Sequence, residues 1–260
     1  MVTEAVARTM DEGLTLLTLS RPDSMNALST EIKEALDLHI ADFLADPAQR
    51  CLVLTGSGSA FCAGGDLSSL ANGHTPAQTQ DRLRVSHRIV RMLLSGSKPV
   101  ITAVNGAAVG AGFSLALMGD VVLASDEAYF LPAFPQVGVA ADLALALTLP
   151  RAIGMPRAKD VLLNNRKVEG AEAERIGLIS RLLAPEELME CALTMGRRLA
   201  AGATLASGLT KGLLHAGYEQ PLETFLALET SAQTLAFASD DCREGVAAFF
   251  GRRKPAFTGS

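Results

Sequence analysis

Two glycine-rich corners, each directly behind a run of buried-type residues, are the parts of this chain equipped for chemistry. The first is Gly56 to Asp66, GSGSAFCAGGD, behind Cys51 to Thr55. The second lies within Pro99 to Asp120, PVITAVNGAAVGAGFSLALMGD, behind the β-branched residues Val100, Ile101, Thr102 and Val104. A strand that ends in small residues and feeds a helix leaves backbone N–H groups unpaired. The helix dipole stands behind them and no bulky Cβ stands in front. If folding brings the corners together, each offers one N–H to the same oxygen, and two converging donors form an oxyanion hole. The competing reading is that both are only turns, the usual fate of glycine-rich loops after strands. Gly106, Gly110 and Gly112 have the wrong order for GxGxxG, and GxxxxGK[ST] and GxSxG do not occur.

The elements that must position these corners read as follows. Residues 5–20 form a hairpin around Asp11-Glu12-Gly13, with Leu14 to Leu19 as its second strand. Ser29 caps a helix running to Ala45, with Ile32, Leu36, Ile40, Phe43 and Leu44 as its apolar stripe. A strand at Cys51 to Thr55 precedes the first corner, and an amphipathic helix spans Gln78 to Leu94. After the second corner, Phe113 to Met118 is a short helix and Val121 to Ala124 a strand, with Tyr129-Phe130 extended. Asp142 opens an apolar helix to Leu149, for which it is a natural N-cap. Beyond Pro185 only helices follow: Glu186 to Ala201, Leu205 to His215, Leu222 to Ala238 and Cys242 to Phe249. The pattern predicts an α/β core over residues 1–196 and a helical appendage over 197–260.

Composition narrows the function classes. The chain has 260 residues, 48% of them apolar, enough for a substantial core. A net charge of −5 and the absence of a basic run argue against a nucleic-acid partner. Cys51, Cys62, Cys191 and Cys242 show no metal spacing with the histidines, and read as reduced thiols of an intracellular protein. His39, His74 and His87 read as packed or exposed, without a metal. No apolar run approaches the roughly 20 residues of a membrane span, so a cytoplasmic location is expected.

Arg21-Pro22 with Asn26-Ala27-Leu28, then AFCAGGDL (60–67), AVNGAAVGAGFSLAL (103–117) and Gly119-Asp120, resemble the crotonase, or enoyl-CoA hydratase/isomerase, family. The similarity extends to the closing REGVAAFFGRRKPAF (243–257). The resemblance implies a spiral of ββα units with a C-terminal helical trimerisation region, assembled as a homotrimer or a dimer of trimers. It implies an acyl-CoA thioester as ligand, with coenzyme A as part of the substrate and no separate cofactor. By family position, Gly65 and Ala111 supply the oxyanion hole around the thioester carbonyl. Ala111 stands where glycine is commoner; its N–H survives, while its methyl narrows the approach. Asn26, Ala27, Ala63 and Leu67 match segments that line the CoA site. Arg252, Arg253 and Lys254 could meet CoA phosphates, or form a solvated basic tail.

Two departures bear on the reaction. Hydratases of this family carry glutamates where this chain has Ser114 and Phe134. Adding water across a double bond needs a carboxylate-activated water, so hydration fits poorly. A carboxylate occurs instead at Asp142, and family isomerases that shift double bonds or open a ring epoxide on phenylacetyl-CoA carry an aspartate similarly placed. The segments around Phe130 to Asp142 and at the C-terminus resemble the ring-epoxide isomerase type. The resemblance therefore implies an acyl-CoA isomerase with Asp142 as proton shuttle. Phe130, Leu131 and Phe134 line an apolar acyl pocket, and Phe134 is expected to desolvate Asp142 and raise its proton affinity. The rival readings are an atypical enoyl-CoA hydratase and a non-catalytic acyl-CoA-binding protein.

Overall fold

In the computed structural model, residues 5–66 and 75–260 are described. Strands β1 (Val6–Asp11) and β2 (Leu14–Leu19) form the expected hairpin, closed by Glu12 and Gly13 at φ 43° and 83°. Positive φ at both turn residues matches the twist of the paired strands. Helix α1 (Thr30–Ala45) is capped by Ser29, whose Oγ accepts the Ile32 N–H at 3.3 Å. Its stripe of Ile32, Leu36, Ile40 and Phe43 is buried as the spacing predicts.

The remaining strands divide between two sheets in alternation. Strands β3 (Cys51–Gly56), β5 (Val100–Val104), β7 (Val121–Ser125) and β10 (Arg181–Leu183) extend the hairpin in parallel, giving the order β1-β2-β3-β5-β7-β10. The short strands β4 (Ala60–Cys62), β6 (Ala107–Val109), β8 (Tyr129–Leu131) and β9 (Val168–Glu169) form the second sheet in that order. Each turn of the chain thus sends one longer strand to the large sheet and one short strand to the small one. Helices α2 (Pro76–Ser95) and α3 (Ala111–Ala116) follow the first two such pairs. This is the spiral of ββα units that the resemblance implied.

Two apolar layers hold it together. The larger lies between the sheets and helices and includes Phe43, Phe61, Phe113 and Phe130. The smaller lies under α7 (Pro185–Ala200), where Leu188, Ala192 and Met195 meet Leu14, Val53, Ile101 and Leu123. Because both faces of the large sheet are covered, β3 and β5 are buried along their whole length, as their unbroken apolar runs require. Asp120 accepts the Val100 N–H at 2.8 Å and pairs with the buried Lys211, whose ammonium donates to it at 2.9 Å. A cleft of about 670 Å³ opens beside that pair, lined by Leu94, Met118, Lys211 and His215. It lies at the far end of α3 from the glycine corners.

Two expectations need correction. The stretches read as plain corners contain strands β4 and β6, three residues each and too short to show a period. Strand β10 forms in a stretch to which the sequence pattern assigned no element. The helix expected to open at Asp142 opens instead at Leu145 as α4 (Leu145–Ile153), with Ala144 in the cap position and no side-chain cap. Leu143 and Ala144 adopt φ 45° and 63°, which breaks the helix before it can include Asp142. Helices α5 (Met155–Leu163) and α6 (Gly170–Arg175) complete the core.

The C-terminal helices α8 (Thr204–Ala216), α9 (Leu222–Ala238) and α10 (Asp240–Phe250) differ from the rest. Helix α9 buries no residue, and Leu222, Leu235, Phe237, Phe249 and Phe250 are exposed. The chain end folds back: Asp241 accepts the N–H groups of Thr258 and Gly259 at 2.7 and 2.9 Å, while Arg50 donates to the Phe257 carbonyl at 3.0 Å. No helix among the described residues is long and apolar enough to cross a membrane.

Candidate active site

The parallel pairing of β4 with β6 brings the two glycine corners together. The approach is too close for side chains. A Cβ on Gly112 would sit 2.0 Å from the Cys62 carbonyl oxygen, and one on Gly64 would sit 2.6 Å from that of Val109 and 3.4 Å from the Ala111 nitrogen. Gly64 and Gly110 also need φ of 96° and 53°, open to glycine at no steric cost. Gly65 faces open space, and Ala111 is the first residue of α3. Among the described residues neither the Gly65 nor the Ala111 N–H has a protein acceptor. The two amides belong to the paired corners, and the first turn of α3 stands behind the second.

Asp142 reaches this region from the loop between β8 and α4. The Ser114 hydroxyl, fully buried on α3, donates to the Asp142 carbonyl at 3.0 Å and ties the loop to the helix that carries Ala111. Asp142 Oδ1 is buried and has no hydrogen-bond partner among the described residues. Burial pushes this carboxyl above the usual carboxylate range, against the opposing pull of Lys33, Arg82 and His87. The direction is the expected one; Phe134, on the same loop, is itself buried on a 3₁₀ turn at Phe134–Val137. Three non-glycine residues of the loop, Ala133, Leu143 and Ala144, have positive φ. Such positions cost on the order of 1 to 3 kcal/mol each and persist where surrounding structure enforces them.

The other residues singled out from sequence fall into distinct places. Phe130 has no accessible surface; its ring packs on Phe113 with centroids 5.2 Å apart. Ala27 and Ala63 are half-buried beside the first corner, where Leu28 N–H donates to the Gly64 carbonyl at 2.7 Å. Leu67 and His74 lie outside the described residues. Arg253 is held by Glu244 through two contacts, of 2.5 and 2.7 Å, which hold the Glu244 carboxyl down to about 2. Arg252 and Lys254 are exposed beside it. Burial pushes the Cys51 and Cys62 thiols up to about 12, so neither is a nucleophile near neutral pH.

Asn26 is fully buried, and its side chain braces the corner from below. Its Nδ2 donates to the carbonyls of Ser57 and Ala60 at 2.9 and 2.8 Å, and its Oδ1 accepts the Arg21 N–H at 2.9 Å. Its φ of 56° is one that asparagine tolerates better than most residues. Asn26→Ala leaves two carbonyls and an amide without partners, and the expected loss is about 2 to 4 kcal/mol of stability. A thermal midpoint within a degree of wild type would contradict this account.

Sequence reading missed Lys33. It sits in the first turn of α1, next to the stripe residue Ile32, at 9% exposure, and desolvation draws its amine below the usual range. Its position beside Ile32 and three residues before Leu36 was the available signal, because a lysine stem can follow an apolar stripe while its amine reaches a polar site.

Known proteins are similar over nearly the full length. The profile of the enoyl-CoA hydratase/isomerase family matches residues 9–260. The 1,2-epoxyphenylacetyl-CoA isomerase of Escherichia coli K12 is 37% identical over 98% of this chain and 99% of its own. A "Probable enoyl-CoA hydratase" of Rhodobacter capsulatus is 39% identical over 96% of both chains. Among solved structures, an enoyl-CoA hydratase from Polaromonas sp. JS666 superposes with a TM-score of 0.92 at 31% identity, covering 97% of this chain and 99% of that one. With two glycine corners paired at the heart of a ββα spiral and this breadth of likeness, the chain belongs to the enoyl-CoA hydratase/isomerase family of enzymes.

Proposed function

We propose that this protein is an acyl-CoA isomerase that moves a double bond, or opens a ring epoxide, through an enolate of the thioester. The observation that carries the reading is the desolvated carboxylate of Asp142, whose buried Oδ1 has no partner among the described residues, on a loop tied to α3. The positions where family hydratases hold their glutamates are Ser114 and Phe134, and Ser114 spends its hydroxyl on the Asp142 main chain. A double-bond shift needs one proton taken from a carbon and returned to another on the same face, which one carboxylate can do. As Asp142 takes the proton, the electron pair moves to the thioester oxygen, where the Gly65 and Ala111 amides receive it. Reprotonation at the second carbon restores the carboxylate, so no atom is gained or lost. The likeness to an epoxyphenylacetyl-CoA isomerase supports an apolar chain or ring in the acyl pocket beside Phe134.

The backbone around Ala27, Ala63 and Leu67 is the proposed seat of the CoA adenine. Residues 197–260 form the proposed oligomerisation region, and the exposed apolar residues of α9 and α10 support a homotrimer or a dimer of trimers. Arg252 and Lys254 remain candidates for a neighbouring subunit's CoA phosphates. A cytoplasmic site of action fits an acyl-CoA substrate.

The test is a panel of unsaturated acyl-CoAs in heavy water, read by mass spectrometry. Deuterium incorporation without gain of a water supports the isomerase. Mass gain of one water on the same panel instead makes the enzyme a hydratase, the reading that the name of the Rhodobacter relative favours. Binding with neither change leaves a non-catalytic acyl-CoA-binding protein.

A further inference from the structure

Asn165 stands just beyond the end of α5, where the chain turns toward β9. Its φ is 48°, and the Arg166 N–H returns to the Val161 carbonyl at 2.9 Å, so the helix closes on a left-handed residue. Glycine fills such a position at the lowest steric cost, with asparagine as the next choice. The helix end thus accounts for the backbone of Asn165 but not for its side-chain amide. That amide has a distant partner: Oδ1 accepts the Ala133 N–H at 2.7 Å. The turn that carries it is well anchored. Arg166 pairs with Asp160 and Glu172 at 2.7 and 2.8 Å, and Lys167 lies 4.0 Å over the Tyr129 ring. Directly after the turn, β9 is laddered to β8, the strand that leads to Ala133.

Ala133 is the entry to the loop between β8 and α4. Its φ of 60° is unfavourable for a residue with a Cβ, and it opens the 3₁₀ turn on which Phe134 is buried. Two residues earlier the Leu131 carbonyl accepts the Gly110 N–H at 2.8 Å, tying the strand end to the second glycine corner. Phe134 therefore leaves a fixed strand end through one strained residue, and the Asn165 side chain holds the N–H of that residue. We propose that Asn165 is a positioning residue whose amide oxygen keeps Ala133 in the left-handed turn and so sets Phe134 as a wall of the acyl pocket. The inference rests on the reading of Phe134 as that wall. Without the acceptor, Ala133 relaxes toward the backbone regions that alanine prefers, and Phe134, the next residue, moves with it. The effect falls on the acyl half of the ligand. The CoA half, with its proposed seat at Ala27 and Ala63, is left as it was.

The experiment measures dissociation constants of phenylacetyl-CoA, hexanoyl-CoA and free coenzyme A by calorimetry on the full-length protein. Neither thioester offers an epoxide or a double bond to shift along its chain, so binding is read without turnover. Asn165→Gly keeps the left-handed helix end and deletes only the acceptor, while Asn165→Asp keeps both. For the thioester that wild type holds more tightly, Asn165→Gly should bind about tenfold more weakly, the scale of one lost hydrogen bond. Free coenzyme A should bind as in wild type, and Asn165→Asp should restore thioester affinity. A folded Asn165→Gly with wild-type thioester affinity overturns the proposal. So does an equal loss in Asn165→Asp, because the acceptor would then be irrelevant. An equal loss for free coenzyme A also overturns it, because damage to the whole site would explain the result. Phe134→Ala separates this inference from the reading beneath it. If Phe134→Ala loses the preference for thioester over coenzyme A while Asn165→Gly keeps it, Phe134 is a wall that Asn165 does not set. If Phe134→Ala keeps that preference, the pocket reading of Phe134 fails and the proposal falls with it.

Discussion

Asp142→Asn should reduce deuterium exchange into the acyl chain by roughly a hundredfold to ten-thousandfold, the usual worth of a positioned acid–base group. Thioester affinity should change little. The substitution is suited to isolating the proton step, because the loop is held through the Asp142 main-chain carbonyl and the Ser114 hydroxyl, which the variant retains. The buried Oδ1 has no protein partner to lose among the described residues. The pH dependence supplies a second reading. A base works deprotonated, so kcat/KM of the wild type should rise with pH through the Asp142 midpoint. That midpoint should lie above the ordinary carboxylate range, since burial raises it. The acid limb should vanish in Asp142→Asn together with most of the rate. A variant with near-wild-type exchange, or a wild-type profile flat through this range, would remove Asp142 from the mechanism.

Ala111→Pro should lower kcat by about 10²- to 10³-fold, or roughly 3 to 4 kcal/mol of barrier, while leaving the fold in place. Proline is tolerated at the first position of a helix, where its missing N–H has no intrahelical partner. Ala111 is that position in α3. The residue before a proline must avoid the helical region, and Gly110 does so, with φ 53° and ψ −123°. The ring also enters the opening from which the hydrogen pointed, so lost donation and a narrowed hole act in the same direction. Circular dichroism and thermal unfolding should match wild type within about 1 kcal/mol, and exchange of the acyl protons should fall. Undiminished kcat in the Ala111→Pro variant would mean that this amide does not hold the developing charge.

The sequence made some of this legible and hid the rest for identifiable reasons. Ser29 as a cap, the stripe of α1 and the buried runs of β3 and β5 carry strong local signals, and all appear where those signals put them. The glycine corners were visible as corners, but nothing local shows that Ala60–Cys62 and Ala107–Val109 are strands. Their pairing is with each other, far apart in sequence, and only the spiral supplies it. The start of α4 was misplaced because aspartate before an apolar run is a standard cap pattern. Two consecutive left-handed residues, Leu143 and Ala144, defeat that pattern with no glycine to announce them. Phe130 shows a second limit. In strand β8 it alternates away from Tyr129 and Leu131 and turns into the core against Phe113, whereas composition alone makes any aromatic near Asp142 look like pocket lining.

The split between ladder and loop has a consequence for how such a catalyst can be altered. The proposed anion grip is cast in main chain and fixed by the β4–β6 register, while Asp142 and Phe134 hang from the segment between β8 and α4. Exchanging residues on that segment leaves the grip standing. A directed-evolution library confined to it should explore new transformations of one class of activated ester without first dismantling the enzyme that performs them.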